Sequence, residues 1–314
     1  MTTGPAVEAV GVRKSFGDYE VLRGLDLTVP RGIVFSLLGP NGAGKTTTVR
    51  IFSTLSRADG GSVRVAGFDV RADQQQVRRR ISLTGQYAAV DVAQTGAENL
   101  QMVGELAGLR RREARRRADE LLEQFDLTDA AGRRAGTYSG GMRRRLDLAA
   151  GLVGRPELVF LDEPTTGLDL PARQAMWQVI GDLAGSGVTI FLTTQYLEEA
   201  DRLADRVAVL NDGGIVADGS PHVLKQQVRG RRLELSFADG PAFDSALRRL
   251  SLRALGSDPA ALTITVATDG DAGRVRALLD EIDPDREGVR TFAVHDTSLD
   301  AVFLTLVQKE TSHV

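Results

Sequence analysis

The sequence predicts an α/β fold followed by a smaller α+β unit, and three observations carry that reading. The first is Gly39-Pro40-Asn41-Gly42-Ala43-Gly44-Lys45-Thr46-Thr47, set between an apolar run at 33–38 and a helical stretch at 48–55. The second is Leu158-Val159-Phe160-Leu161-Asp162-Glu163, an apolar strand ending in two acids. The third is the alternation of strand-like and helix-like segments around them, the pattern of a sheet covered by helices on its faces.

Taken in order, strands are expected over 7–12 and 21–29, flanking a turn at Phe16-Gly17-Asp18. The run 33–38 is the strand that feeds the glycine-rich loop. Strands follow near 62–66 and 81–84, helices through most of 96–155, and strands again at 158–161, 188–192 and 207–210. Pro171 marks a helix N1 position, with Met176, Val179, Ile180 and Leu183 at helical spacing behind it. Asn211-Asp212-Gly213-Gly214 is a hairpin signal. A first domain is placed at 1–228, with a helical subdomain over about 88–155, and a second at 229–314. The second reads as strand 233–237, helix 243–250, a hairpin of 251–255 with 262–267 around Ser257-Asp258-Pro259, helix 274–282, strand 289–294 and helix 299–306. That βαββαβ order is ferredoxin-like. Leu233, Leu235, Leu247, Leu250, Ile264, Val266, Leu278, Leu279 and Val294 give it a two-layer core. Leu299, Val302, Phe303 and Leu306 form an apolar stripe on its closing helix, and the tail from 308 reads as frayed.

Composition narrows the function. The chain has 314 residues, 42% hydrophobic and 26% charged, with a net charge of −3, which leaves no strong nucleic-acid footprint. It has no cysteine, so disulfides and thiolate metal sites are excluded. His222, His295 and His313 are scattered and lack ligand spacing. No run approaches the roughly 18 apolar residues that span a bilayer, and the start MTTGPAVEAV lacks a signal-peptide layout. The expectation is a cytoplasmic protein whose membrane link comes through a partner or lipid headgroups. Lysine stands only at 14, 45, 225 and 309 and arginine elsewhere, a bias expected of a GC-rich bacterial gene.

The spacing of residues 39–46 is G-x-x-x-x-G-K-T. Glycines let consecutive backbone N–H groups turn inward around phosphate oxygens, and the helix behind them adds its positive end. Lys45 is placed to reach β- and γ-phosphates and the Thr46 hydroxyl to ligate Mg²⁺. A plain glycine turn needs neither a lysine nor a hydroxyl at those two places. In such an enzyme, an acid at the position of Asp162 holds Mg²⁺ with the loop threonine. The next acid, Glu163, is placed to polarise a water for attack on the γ-phosphate. Tyr138-Ser139-Gly140-Gly141-Met142 opens another helix with a hydroxyl and two glycines. It is either a second anion site or a helix capped by Ser139. Two phosphate-binding elements with one nucleotide loop point to a dimer.

Together these elements resemble an ATP-binding-cassette (ABC) ATPase over about residues 5–228. The resemblance implies the family fold, ATP and Mg²⁺ as ligands, ATP hydrolysis and a homodimer that sandwiches two ATP. It implies that Phe16 stacks on adenine and that Gln86 is the Q-loop glutamine at Mg²⁺, facing a membrane partner. The loop Gly39–Thr47 binds the phosphates, with Gly42, Ala43 and Gly44 in its turn. Thr165-Thr166-Gly167-Leu168-Asp169 resembles the D-loop. Ser139, Gly140 and Gly141 of one subunit then meet the γ-phosphate held by Lys45 of the other.

Two departures stand out. The signature reads Y-S-G-G-M where L-S-G-G-Q is commonest, and Thr193-Thr194-Gln195-Tyr196 has Gln195 where most cassettes carry the switch histidine. An amide can donate to a γ-phosphate oxygen but cannot titrate near neutral pH. The strings TTQYLEEAD, TYSGGMRRRLD, TGQYAAVD, FLDEPTTGLD and Ser298-Leu299-Asp300-Ala301-Val302-Phe303-Leu304 are similar to daunorubicin-resistance (DrrA-type) exporter ATPases. That resemblance spans nearly the whole chain. It implies two copies of a separate membrane-spanning permease subunit, a peripheral place on the cytoplasmic side of a bacterial membrane, and export of drugs or other amphipathic compounds. The alternatives are the ATPase of a lipid or polysaccharide exporter and a non-transport ABC ATPase. The latter usually carries two cassettes or a coiled-coil insertion, and this chain has neither. Arg110-Arg111-Arg112 and Arg115-Arg116-Arg117 read as a solvated helix face paired with Glu113, Asp119 and Glu120, or as a headgroup contact.

Overall fold

The computed structural model describes residues 4–85, 89–227, 231–250 and 253–295. They fall in two compact units, Met1–Pro221 and His222–Val314.

The first unit opens with an antiparallel sheet. Strand β1 (Val7–Phe16) pairs with β2 (Tyr19–Val29), and Gly17-Asp18 closes the hairpin with Gly17 at φ 60°. β1 runs four residues beyond the expected end at Val12. Gly11, at φ 59°, sits in a register shift between Ala9 and Val12 that breaks the in/out alternation. After β3 (Val34–Leu38) and α1 (Lys45–Phe52) come β4 (Gly60–Val65) and a two-residue strand, β5 (Phe68–Asp69), which the sequence reading lacked. The sheet order is β2-β1-β4-β5.

The second sheet is mostly parallel. α2 (Gln74–Arg78) leads into β6 (Ile81–Thr84), and after a helical stretch come β7 (Leu158–Asp162), α6 (Leu170–Gly185), β8 (Thr189–Thr194), α7 (Leu197–Leu203), β9 (Arg206–Asn211) and β10 (Gly214–Gly219). Pro171 is the second residue of α6, not the first. The order β10-β9-β3-β8-β7-β6 places β3, β8 and β7 in the middle, and all three are buried along their whole length. Their near-continuous apolar sequences follow from burial on both faces. Phe35, Phe160 and Phe191 point to one face, where Phe191 meets Phe35 and Phe160 at 5.4 Å and Phe52 of α1 at 5.8 Å between ring centroids. Val34, Val159, Leu161, Ile190 and Leu192 point to the other, against the helices. At the β9–β10 hairpin, Asp212 (φ 43°) and Gly213 (φ 78°) both take the left-handed region that a two-residue turn of this hand requires.

The helical stretch holds α3 (Gly96–Leu106), α4 (Arg111–Gln124) and α5 (Gly140–Gly151). Thr95 and Glu98 cap α3 reciprocally. α4 buries Ala114, Ala118, Leu121 and Leu122 and turns its arginines away, Arg116 and Arg117 pairing with Glu120 at 3.6 and 3.1 Å. Arg117 also donates to the Leu152 carbonyl at 3.0 Å, so it braces α5 instead of facing solvent alone.

The division between units falls at the start of α8 (Pro221–Gln227). The second unit runs β11 (Arg231–Phe237), α9 (Gly240–Leu250), β12 (Ala254–Asp258), β13 (Thr263–Thr268), α10 (Ala272–Ile282) and β14 (Val289–His295). Its antiparallel sheet has the order β12-β13-β11-β14. The core joins Leu233, Leu235, Phe237, Phe243, Leu250, Ile264 and Val266 to Val275 and Ile282. Val294, expected inside, is 40% exposed on edge strand β14. The hairpin turn is later than expected. Asp258 accepts the N–H groups of Ala260 and Ala261 at 2.9 and 3.1 Å, so the strand continues to Asp258 before turning. The closing helix expected at 299–306 lies outside the described residues.

Candidate active site

A cavity of about 590 Å³ lies over the N-terminus of α1. Phe16, Val21, Asn41, Gly42, Gly44, Lys45, Thr46, Thr47, Glu163, Thr166 and Gln195 line it. The structure therefore brings together the glycine-rich loop, the second acid after β7 and the glutamine after β8. Parallel pairing explains this, because β3, β7 and β8 all end at the same sheet edge.

The loop is held by its glycines. Gly42 and Gly44 sit at φ 84° and 106°. A Cβ on Gly39 would lie 2.3 Å from the Leu210 carbonyl oxygen. Gly39, Pro40 and Ala43 do not line the cavity. The Gly39 N–H donates to the Thr194 carbonyl at 3.2 Å, and Ala43 N–H to Pro40 at 3.3 Å. The carbonyls of Gly39 and Pro40 hold Lys45 Nζ at 2.9 and 3.0 Å. Lys45 is 4% exposed and pairs with Glu163 at 3.3 Å. The sequence gives no sign of that pairing.

The two acids are separated by their backbone. Asp162 ends β7 and accepts from Thr193 Oγ1 at 2.6 Å and Thr46 Oγ1 at 3.2 Å. Glu163 takes φ 50°, a left-handed conformation unusual for a side chain of its size. Its N–H donates to both the carbonyl and the hydroxyl of Thr193 at 3.1 Å, and Thr166 Oγ1 lies 3.4 Å from its carboxylate. The twist turns Asp162 towards α1 and Glu163 into the cavity. Asp162 and Thr46 present two oxygen donors side by side. An all-oxygen pair of this kind fits Mg²⁺, which is held by one or two carboxylates plus substrate phosphates. Among the described residues no group of three or more His, Cys, Asp or Glu side chains could cage a metal alone. Phe16 is 57% exposed at the cavity rim, with Lys14 Nζ 5.2 Å from its ring centre.

Other expected residues lie elsewhere. Ser139 caps α5 by accepting from Met142 N–H at 3.2 Å, and Asp169 caps α6 by accepting from Ala172 N–H at 2.9 Å. Ser139, Gly140, Gly141 and Asp169 are all absent from the cavity wall of their own chain. Gln86 lies outside the described residues.

Sequence reasoning missed a buried polar layer behind the site. Arg144 of α5 donates to the Pro164 carbonyl at 3.0 Å and to the Gly85 carbonyl, and it lies 3.5 Å from Asp147. Asp147 accepts from Ala89 N–H at 2.8 Å. Burial pulls the Arg144 pKa down and pushes that of Asp147 up, each opposed by the partner's charge. Tyr138 is buried where the commonest signature has leucine, and its hydroxyl donates to the Ala130 carbonyl at 2.7 Å. Gly96 makes room, since a Cβ there would lie 2.2 Å from that hydroxyl. The helical spacing of three between Arg144 and Asp147 was the one available signal, hidden in a run of arginines.

Residues 22–166 match the ABC transporter family model. The daunorubicin/doxorubicin resistance ATP-binding protein DrrA of Streptomyces peucetius is 48% identical, over 98% of this chain and 94% of the relative. The chain belongs to the ABC transporter ATP-binding family. This ABC ATPase is also 46% identical to the doxorubicin resistance ATP-binding protein DrrA of Mycobacterium tuberculosis (strain ATCC 25618 / H37Rv), over 98% and 95% of the two chains. The Nod factor export ATP-binding protein I of Rhizobium sp. (strain N33) is 42% identical over 75% of this chain and 78% of the relative. Among solved structures, an ATP-binding subunit of an ABC transporter superposes with a TM-score of 0.63 at 26% identity, over 71% of this chain and 92% of the other. A dimeric cassette, MJ0796 bound to ADP and Pi in a post-hydrolysis state, shares the fold with a TM-score of 0.61 at 24% identity, over 68% and 98%.

Proposed function

We propose that this ABC ATPase binds and hydrolyses ATP at the α1 cavity to drive a multidrug exporter from the cytoplasmic face of the membrane. It works as a homodimer across two ATP, with two copies of a separate permease subunit. One observation carries the drug reading. The DrrA relatives align over 98% of this chain, whereas the Nod factor relative covers 75% of it. The second unit is thus shared with the drug-resistance proteins. The Nod factor relatives support a second reading, an exporter ATPase with a different cargo. Among the described residues no helix is long and apolar enough to cross a membrane.

Residues follow their geometry. Lys45 meets the phosphates once it leaves Glu163, and the same separation frees the Glu163 carboxylate to take a proton from water. Thr46 and Asp162, with Gln86, hold Mg²⁺, which neutralises charge developing on the phosphates. Asn41, Gly42, Gly44 and Thr47 turn the loop around the phosphates, Phe16 stacks on the base, and the Gln195 amide donates to the γ-phosphate. Ser139, Gly140 and Gly141 act in trans on the partner's nucleotide, and Asp169 lies in the loop between the subunits. The cassette occupies 1–228, and 229–314 forms a ferredoxin-like accessory domain that stabilises the dimer.

The test is to co-express the chain with a candidate membrane-spanning permease and measure daunorubicin accumulation in cells. The pair lowers accumulation, and Lys45→Ala abolishes the effect. Unchanged accumulation together with drug-independent ATPase activity of the purified pair would exclude a drug cargo.

A further inference from the structure

Glu199 is fully buried, on α7, four residues beyond Gln195. Its Oε1 accepts from Thr165 Oγ1 at 2.8 Å and from Trp177 Nε1 at 3.0 Å. Thr165 is itself fully buried, and Trp177 is 2% exposed. Three segments meet at this one oxygen. Thr165 belongs to the loop that starts at Glu163 and ends at Asp169, Trp177 belongs to α6, and Glu199 belongs to the helix that follows the Gln195 turn.

A lone buried carboxylate is costly to keep. Burial pushes this one up, while the Thr194 and Thr165 hydroxyls, the Trp177 indole and the Arg173 charge pull it down. Its surroundings show what it secures. The Gln195 turn is pinned by Tyr196 N–H donating to Thr194 Oγ1 at 2.9 Å, and Thr194 carries the carbonyl that holds Gly39. The 163–169 loop is pinned at Pro164 by Arg144, and Thr166 reaches the Glu163 carboxylate. Between these two anchored segments, the Thr165–Glu199 bond is a buried side-chain to side-chain tie, added to the bonds from Glu163 N–H to Thr193 at the strand ends. Glu163 and Gln195 stand on opposite sides of that tie, and both line the cavity.

We propose that Glu199 is a positioning residue for hydrolysis: its buried carboxyl locks the Glu163–Asp169 loop to the Gln195 turn through Thr165 and Trp177. It touches no substrate and acts by keeping Glu163 and Gln195 in one register. The proposal rests on the assignment of the cavity as the ATP site. An error of about 1 Å in the placement of reacting groups costs on the order of 10²-fold in rate.

The decisive variant is Thr165→Val, which removes the hydroxyl and keeps the shape. It is expected to lower kcat roughly 10- to 100-fold and leave the Kd for ATP within about threefold. Glu199→Gln keeps an oxygen where both donors point, so it retains kcat within about threefold, while Glu199→Ala loses as much as Thr165→Val. The double variant Thr165→Val/Glu199→Ala loses no more than either alone, since both break one tie. Should Thr165→Val fail to fold, Trp177→Phe removes the other donor and reads the same split of kcat from Kd. Wild-type kcat in a folded Thr165→Val, or a fall in kcat that tracks the unfolded fraction seen by circular dichroism, overturns the positioning role. A wild-type chain that binds ATP elsewhere or does not hydrolyse it overturns the site assignment, and this inference with it.

Discussion

Glu163→Gln probes the reacting centre with the smallest change in shape. In the wild type the carboxylate lies 3.3 Å from Lys45 and its side chain is 9% exposed. The amide fills the same space, and Lys45 keeps the Gly39 and Pro40 carbonyls at 2.9 and 3.0 Å. The ammonium is therefore not left bare, and the expected stability loss is of the order of one charged hydrogen bond, about 1.5–3 kcal/mol. For a domain of this size that lowers Tm by about 3–12 °C. The chemical loss is larger. Removing a positioned general base costs about 10²–10⁴-fold in turnover, or ~2.7–5.5 kcal/mol of barrier. The loop that binds phosphate is untouched, so the Kd for ATP stays within a few-fold. The assays are steady-state phosphate release, binding of a fluorescent ATP analogue, and native mass with and without ATP, where the variant is expected to accumulate as an ATP-bound dimer. Turnover within tenfold of wild type, in a folded protein, refutes the base assignment.

Gln195→Ala removes one donor to a charged oxygen, worth about 1.5–3 kcal/mol, so turnover falls roughly 10- to 150-fold with ATP affinity changed less; Gln195→His restores it. A rate within twofold of wild type in the assembled transporter moves that contact elsewhere. Gly140→Ala, at the first position of α5 where a Cβ meets nothing within 4 Å, is expected to leave the fold intact and to lower ATPase activity of the dimer; unchanged activity in a thermal-melt-matched sample would contradict the trans contact. Gly96→Ala forces a Cβ to 2.2 Å from the Tyr138 hydroxyl, so it costs about 1–3 kcal/mol in urea unfolding, and Gly96→Ala/Tyr138→Phe recovers part of that. At Asp283, burial raises the pKa but the N–H groups of Val289, Gly288, Glu287 and Arg286 outweigh it, and the net shift is downward. A depressed folded pKa gives stability that is present above the unfolded value of 3.8 and lost as pH falls through the folded value. Asp283→Asn is therefore expected to melt earlier than wild type at pH 7, with the gap closing below pH 3.8.

The chemistry-bearing stretches were legible because their geometry is local. A strand, a glycine loop and a helix N-terminus follow one another along the chain, so Gly39–Thr47 declares its fold without reference to the rest. Parallel strands that end together then place Glu163 and Gln195 at the same edge. What escaped the sequence is long-range. Lys45 and Glu163 are paired across more than a hundred positions, and Thr165, Trp177 and Glu199 meet only through packing of α6 against α7. Glu198-Glu199 looks like a surface pair, yet only the second of the two is buried. Strand ends also misled where a side chain or bulge intervened, at Gly11 in β1 and at Asp258 in β12. The strand expected at 289–294 forms as β14, but the exposure of Phe292 on it is a tertiary property that alternation does not reveal.

The glycines divide by what they answer to, and this bears on the dimer. Gly39 and Gly44 are required by their own chain: a Cβ would meet Leu210 O at 2.3 Å in one case and Leu22 Cδ2 at 2.8 Å in the other. Gly141 is close-packed too, 3.1 Å from Ala172 Cβ. Gly140 differs. Nothing lies within 4 Å of where its Cβ would be, it is exposed, and its φ is not in the left-handed region. In the proposed dimer, the open space around Gly140 lets a second subunit's nucleotide approach the backbone at the start of α5. There Ser139 offers a hydroxyl and the helix offers its unpaired N–H groups, the chemistry of a phosphate held by a second subunit.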